Sequence, residues 1–104
     1  MAGTSHSAIL LSTRDNVATV LSSVESGTTI AVLVNGEASL EVKTVEAIPS
    51  GHKVSLQDIS RGAAVVKWGE KIGVATKDIR RGEHVHIHNV ESERGRGDLS
   101  REEG

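Results

Sequence analysis

Short aliphatic and β-branched runs, each stopped by Gly, Asn, Asp or Ser, recur along the whole chain. Residues 8–11, 17–21, 29–34, 38–45, 63–68, 71–75 and 84–90 read as strands on this pattern. Asn35-Gly36 lies between two of these runs, where a type I′ hairpin turn needs two residues that tolerate positive φ. No window holds a 3.6-residue apolar stripe, so long helices are not expected. Residues 13–16 suit a turn or a single helical turn, and residues 56–59 and 76–79, each leading to Arg-Gly or Arg-Arg-Gly, suit short 3₁₀ turns. The pattern predicts an all-β domain.

One string repeats after twenty residues. Asp58-Ile59-Ser60-Arg61-Gly62-Ala63-Ala64-Val65 returns as Asp78-Ile79-Arg80-Arg81-Gly82-Glu83-His84-Val85, and Val24-Glu25-Ser26-Gly27-Thr28-Thr29-Ile30 is a weaker copy. Each copy reads as an apolar residue, a turn closed by Gly at positive φ, and a strand opening on Val or Ile. Such close spacing means one turn-to-strand corner reused inside a single fold, with Asp58 and Asp78 accepting N–H bonds in their turns. Residues 1–7 and 91–104 are polar and Gly- or Ser-bearing, and are expected to be flexible ends around an ordered domain at 8–90.

Composition narrows the function. At 104 residues with no Phe, no Tyr and one Trp, the core must be aliphatic and lean, which suits a domain docked on something larger. A net charge of −2 offers no basic footprint, and one aromatic offers no stacking platform, so nucleic acid is not an expected partner. Cysteine is absent, which excludes disulfides. Apolar runs are too short to span a bilayer and residues 1–7 lack a signal-peptide layout, so a cytoplasmic protein is expected.

Histidine placement carries the chemistry. Three of five histidines, His84, His86 and His88, alternate with Val85 and Ile87 and end on Asn89. On a strand they share one face, suited to metal binding or proton transfer. Residues i and i+2 stand about 7 Å apart and i and i+4 about 13 Å, so one ion cannot take all three from a straight strand. A further ligand must then come from elsewhere in the fold or from a partner. A chance row of exposed histidines and a structural hydrogen-bond row are the rival readings.

Four strings together resemble a known family. They are Asp15-Asn16-Val17-Ala18, Ile48-Pro49-Ser50-Gly51-His52-Lys53, Trp68-Gly69-Glu70-Lys71-Ile72-Gly73-Val74-Ala75, and Gly82-Glu83-His84-Val85-His86-Ile87-His88-Asn89. In order and spacing the chain is similar to the SAF-type small domain of altronate and galactarate dehydratases, a group that includes the sulfolactate sulfo-lyase small subunit. The resemblance implies a β-clip fold related to type III antifreeze proteins. It implies a large catalytic subunit as partner, a small hydroxy-acid substrate, and a divalent metal, Fe²⁺ first with Mn²⁺ or Zn²⁺ as alternatives. Trp68 stands where the family pattern suggests Tyr, and its ring is expected to be a packing contact.

Elimination from a hydroxy acid needs a base for the α-proton, help for the leaving group, and a holder for enolate charge. His84 and His86 are the expected metal ligands, and His52, Lys53, His88 and Asn89 the expected catalytic residues. Lys53 could hold a substrate carboxylate, or be a solvated surface lysine. His52 could ligate, donate or merely shape its turn. Asn89 could bond a substrate hydroxyl, fix a histidine tautomer, or cap a turn. A metal-dependent hydro-lyase subunit for a sugar acid is the leading function. A sulfolactate sulfo-lyase small subunit and a non-catalytic acid-binding module are the alternatives.

Overall fold

The computed structural model, which describes residues 6–92, turns the apolar runs into strands. These are β1 (Ser7–Ile9), β2 (Val17–Val20), β3 (Thr29–Val34), β4 (Glu37–Lys43), β5 (Lys53–Ser55), β6 (Ala64–Lys67), β7 (Glu70–Ala75), β8 (His84–Val85) and β9 (Val90–Ser92). No helix occurs among the described residues, as the all-β expectation requires. Six strands form one sheet in the order β4-β3-β1-β2-β5-β8, and β6-β7-β9 form a second. Among the described residues only the β1–β3 pair is parallel. Most of the ends expected to be flexible lies outside the described residues. Ser7 and Glu91–Ser92, at their inner limits, are paired strand residues.

The repeated corner occurs four times, not three. Ile48-Pro49-Ser50-Gly51-His52-Lys53-Val54 is the copy that sequence reading missed, because Pro and Ser hide it. Gly27, Gly51, Gly62 and Gly82 all hold φ between 83° and 90°. The residue three before each glycine (Val24, Ile48, Ile59, Ile79) is buried, and the residue three after it (Ile30, Val54, Val65, Val85) is fully buried. The copies work in pairs. Val24 bridges Ile48, and Ile59 bridges Ile79, through reciprocal backbone hydrogen bonds. Asp58 and Asp78 therefore do not serve their own turns. Asp78 accepts the Arg61 N–H and Asp58 the Arg81 N–H, each at 2.9 Å. Ser23 plays the same part for Ser50 N–H at 3.0 Å. Because Ile59 and Ile79 bond to each other, residues 56–59 and 76–79 are bends ending in a bridge, where 3₁₀ turns were expected.

Asp15 and Asn16 join the two sheets. The Asn16 amide donates to Ala64 C=O at 3.0 Å and accepts from Val66 N–H at 2.8 Å, acting as one more pairing residue for β6. The buried Asp15 carboxylate accepts from Ser12, Trp68 and Gly69 N–H groups. That grip holds Trp68 at φ 60°, a left-handed conformation costly for a bulky side chain. The expected packing role of the Trp68 ring is not observed: it sits on the β6–β7 hairpin tip and is 71% exposed.

Burial follows the strand alternation. Ala18 and Val20 of β2 pack into one cluster with Ile30, Val32, Val42, Ile48 and Val54. Val17 points the other way, into a second cluster with Ile59, Val65, Ile79 and Val85. Both are aliphatic, as the composition demands.

Gly82 tests the corner. A Cβ there would run into the Lys43 carbonyl, whereas a Cβ on Gly27 would meet nothing. Gly27→Ala should cost about 1 kcal/mol from φ alone. Gly82→Ala should cost about 2–4 kcal/mol because a clash is added. Denaturant titration of both variants checks the difference.

Candidate active site: an imidazole cluster

The expected strand over residues 84–90 does not form. Pairing stops after Val85, and residues 86–89 turn back so that β9 can join the second sheet. Asn89 causes this. Its amide donates to His84 C=O at 2.8 Å and accepts from His86 N–H at 3.0 Å, and its own N–H donates to His86 C=O at 3.1 Å. The side chain is 1% exposed and engaged at both ends. A substrate hydroxyl has no route to it, so Asn89 is built to hold the turn.

The turn replaces a straight row of histidines with a cluster. His84 lies on β8 opposite Val54 of β5, and His52 immediately precedes β5, so two corners, one from each pair, deliver two imidazoles to adjacent strands. His52 Nδ1 and His84 Nε2 stand 2.8 Å apart. His86 folds back over His52, with ring centroids 3.9 Å apart and planes 18° from parallel. His88 tilts over the outer side of His84 at 4.9 Å. One ligand nitrogen from each of His52, His84 and His86 fits within a 4.8 Å span, and all three residues are half-buried. His88 is exposed and outside that set.

Two observations fit this cluster to a metal ion. His86 Nδ1 is buried and has no hydrogen-bond partner. All donors are imidazole nitrogens, suited to zinc, iron and other first-row ions. Nitrogens about 2.1 Å from one tetrahedral ion stand about 3.4 Å apart, so the 4.8 Å span must close by side-chain rotation around the ion. In the His52–His84 hydrogen bond one nitrogen carries a proton, and an ion taking both nitrogens would release it.

Protonation of His84 and His86 is disfavoured. Burial, then the His88 and His52 charges, lower the His84 pKa, against the opposing pull of Glu46. Burial, then His52, Lys53 and His88, lower that of His86. Lys53, beside His52, is lowered by burial and by Lys67. Glu46 was not legible in the sequence, since a single Glu between strands carries no spacing signal. Its carboxylate accepts the His84 N–H at 2.9 Å, fixing that residue from the side away from Asn89.

Fold and site together define an all-β domain that gathers histidines on one edge. The chain belongs to the altronate/galactarate dehydratase SAF domain family, which it matches over residues 6–93. It is 37% identical over 76 residues to (2R)-sulfolactate sulfo-lyase subunit alpha of Chromohalobacter salexigens, covering 72% of this chain and 81% of that one. The corresponding subunit of Paracoccus pantotrophus is 34% identical, over 62% of this chain and 97% of the relative. Altronate dehydratase of Escherichia coli is 42% identical over 79 residues, which are 73% of this chain but only 14% of that enzyme.

Asn89→Ala would strand one buried carbonyl and one buried N–H, so a loss of about 2–4 kcal/mol in thermal or denaturant unfolding is expected. Unfolded histidines bind protons that folded His84 and His86 resist. Metal-free protein should therefore lose stability as pH falls below about 6.5, levelling off once the lowered folded values are passed. Replacing both residues by Asn should flatten that slope, as read from unfolding midpoints across pH.

Proposed function

We propose that this chain is the small subunit of a two-component, metal-dependent lyase, completing an active site whose larger part lies on a separate chain. The substrate is a sugar acid of the altronate or galactarate type, losing water. The observation that carries this reading is the gathering of His52, His84 and His86 within 4.8 Å, beside the Lys53 ammonium. The relatives support it. Altronate dehydratase carries the matched segment as 14% of a longer chain, and the sulfo-lyase relative is by name one subunit of an enzyme.

A divalent ion held by His52, His84 and His86 would supply Lewis-acid assistance to the leaving hydroxyl. The chain's own residues do the remainder. Lys53, already disfavoured as an ammonium by burial and by Lys67, gains most from an anionic partner and holds the substrate carboxylate. His88, exposed at the mouth of the cluster, carries protons between the site and solvent. Asn89 and Glu46 position His84 and His86 through their backbone.

A second reading rests on coverage. The match extends over 81% and 97% of two sulfo-lyase alpha subunits, so (2R)-sulfolactate, losing sulfite, is the alternative substrate. The test is co-expression with the large lyase chain of the same cells and assay on altronate, galactarate and (2R)-sulfolactate. One substrate should be turned over only with both chains present. His86→Ala should leave assembly intact and lower the rate at least about 100-fold. An unchanged rate in that variant would refute a catalytic role, and absence of turnover on every acid would favour a binding module.

A further inference from the structure

Beside the histidines the chain has an uncovered apolar groove. It is a cavity of about 230 Å³ between the 86–89 turn and the second sheet, walled by Ile72, Val85, His86, Ile87 and Val90, with Lys53 at its rim. Ile87 occupies the tip of the turn and is 83% exposed, a place where turn chemistry normally puts a polar residue. Val85 beneath it is fully buried, so the groove opens from the second core cluster directly to the surface. Its wall includes a candidate ligand. Anything seated in it would also shield the imidazole cluster from water.

Charge says what kind of surface fits. Lys53 lies at the rim and Lys67, on β6, is near enough for its charge to act on it. Neither ammonium has a carboxylate partner among the described residues. Two unpaired cations beside an apolar slot form a positive, greasy patch on a chain whose net charge is −2. Such a patch is complementary to an apolar side chain flanked by Asp or Glu.

The chain's own residues 93–104 offer one such side chain, Leu99 after Asp98, but Arg94, Arg96 and Arg101 surround it and would set like charge against the two lysines. A second copy would have to bring the same two lysines to a two-fold contact, setting like charges against each other.

We infer that this groove, with Ile87 as its anchor, the substrate-holding Lys53 at its rim and the Lys67 charge near by to meet a partner carboxylate, is where an acidic, apolar-tipped segment of the large lyase chain docks. The inference rests on the two-component reading above and names the surface that reading leaves open. Docking there places the partner's carboxylates within reach of the imidazole cluster. The metal-site ligand set and the exclusion of water would then both be completed by one contact.

The experiment is affinity measurement between this full chain and the co-expressed large lyase chain, using Ile87→Asp, Lys67→Glu and Ser39→Asp variants. Ser39 is an exposed residue of β4, at the far edge of the six-stranded sheet. Each variant is first checked for an unchanged unfolding midpoint. Ile87→Asp should weaken binding at least about tenfold, Lys67→Glu severalfold, and Ser39→Asp not at all. Raising salt should weaken the wild-type complex and have less effect on Lys67→Glu. Wild-type binding that survives both groove variants would overturn the docking face and leave the two-component reading standing. Absence of binding by the wild type would overturn the reading itself. Isolated chain that dimerises through Ile87, or nuclear Overhauser contacts from Leu99 to Val90, would give the groove to another occupant and overturn the inference.

Discussion

A glycine at positive φ, set midway between two buried aliphatic residues, is the constraint on which the rest of this structure depends. Each of the four corners reverses the chain while sending one side chain down before the turn and another after it. A domain without Phe or Tyr cannot fill its interior with a few large rings, so it fills it with many small residues placed by a repeated backbone device. Pairing the corners closes the device. Ile59 with Ile79, and Val24 with Ile48, satisfy backbone groups that a turn would otherwise leave open. Buried Asp15 and Asn16 then fasten the second sheet to the first with side-chain groups bonded to main chain.

The candidate site is a by-product of that architecture. Corners at Gly51 and Gly82 feed β5 and β8, which pair, and the histidines just beyond each glycine meet because those strands are neighbours. Asn89 adds the one element the corners lack, a tight return that swings His86 over His52. Every polar group of Asn89 that could have served substrate is spent on backbone, which separates the residue that shapes the site from those that can react. Burial first, then the neighbouring imidazoles and, for His86, Lys53, make protonation of His84 and His86 costly. What suits these residues to a metal ion is the donor set, neutral imidazole nitrogens that present lone pairs.

Much of the fold was legible because alternation and turn residues are local signals. Asn35-Gly36 specified its hairpin, and the Asp-Ile-x-Arg-Gly strings marked their corners. What was not legible was long-range. Nothing near Asp58 says that its carboxylate serves Arg81 rather than its own turn. The same holds for the site. His84, His86 and His88 were visible as a set, but period-two spacing argued for a straight row that one buried amide at Asn89 abolishes. His52 was visible beside Lys53 in a Gly-His-Lys string, yet its place against His84 depends on which strands pair. Glu46 and the groove under Ile87 left no pattern at all, being products of packing.

The most direct test of the account is a Zn²⁺ titration of the free chain labelled with ¹⁵N at histidine, following each imidazole nitrogen by NMR. His52, His84 and His86 should respond together and saturate at one ion per chain, with His6 unaffected. Zinc shifts confined to His6 or His88, or no shift at any of the three, would contradict the claim that the turn held by Asn89 builds a ligand set.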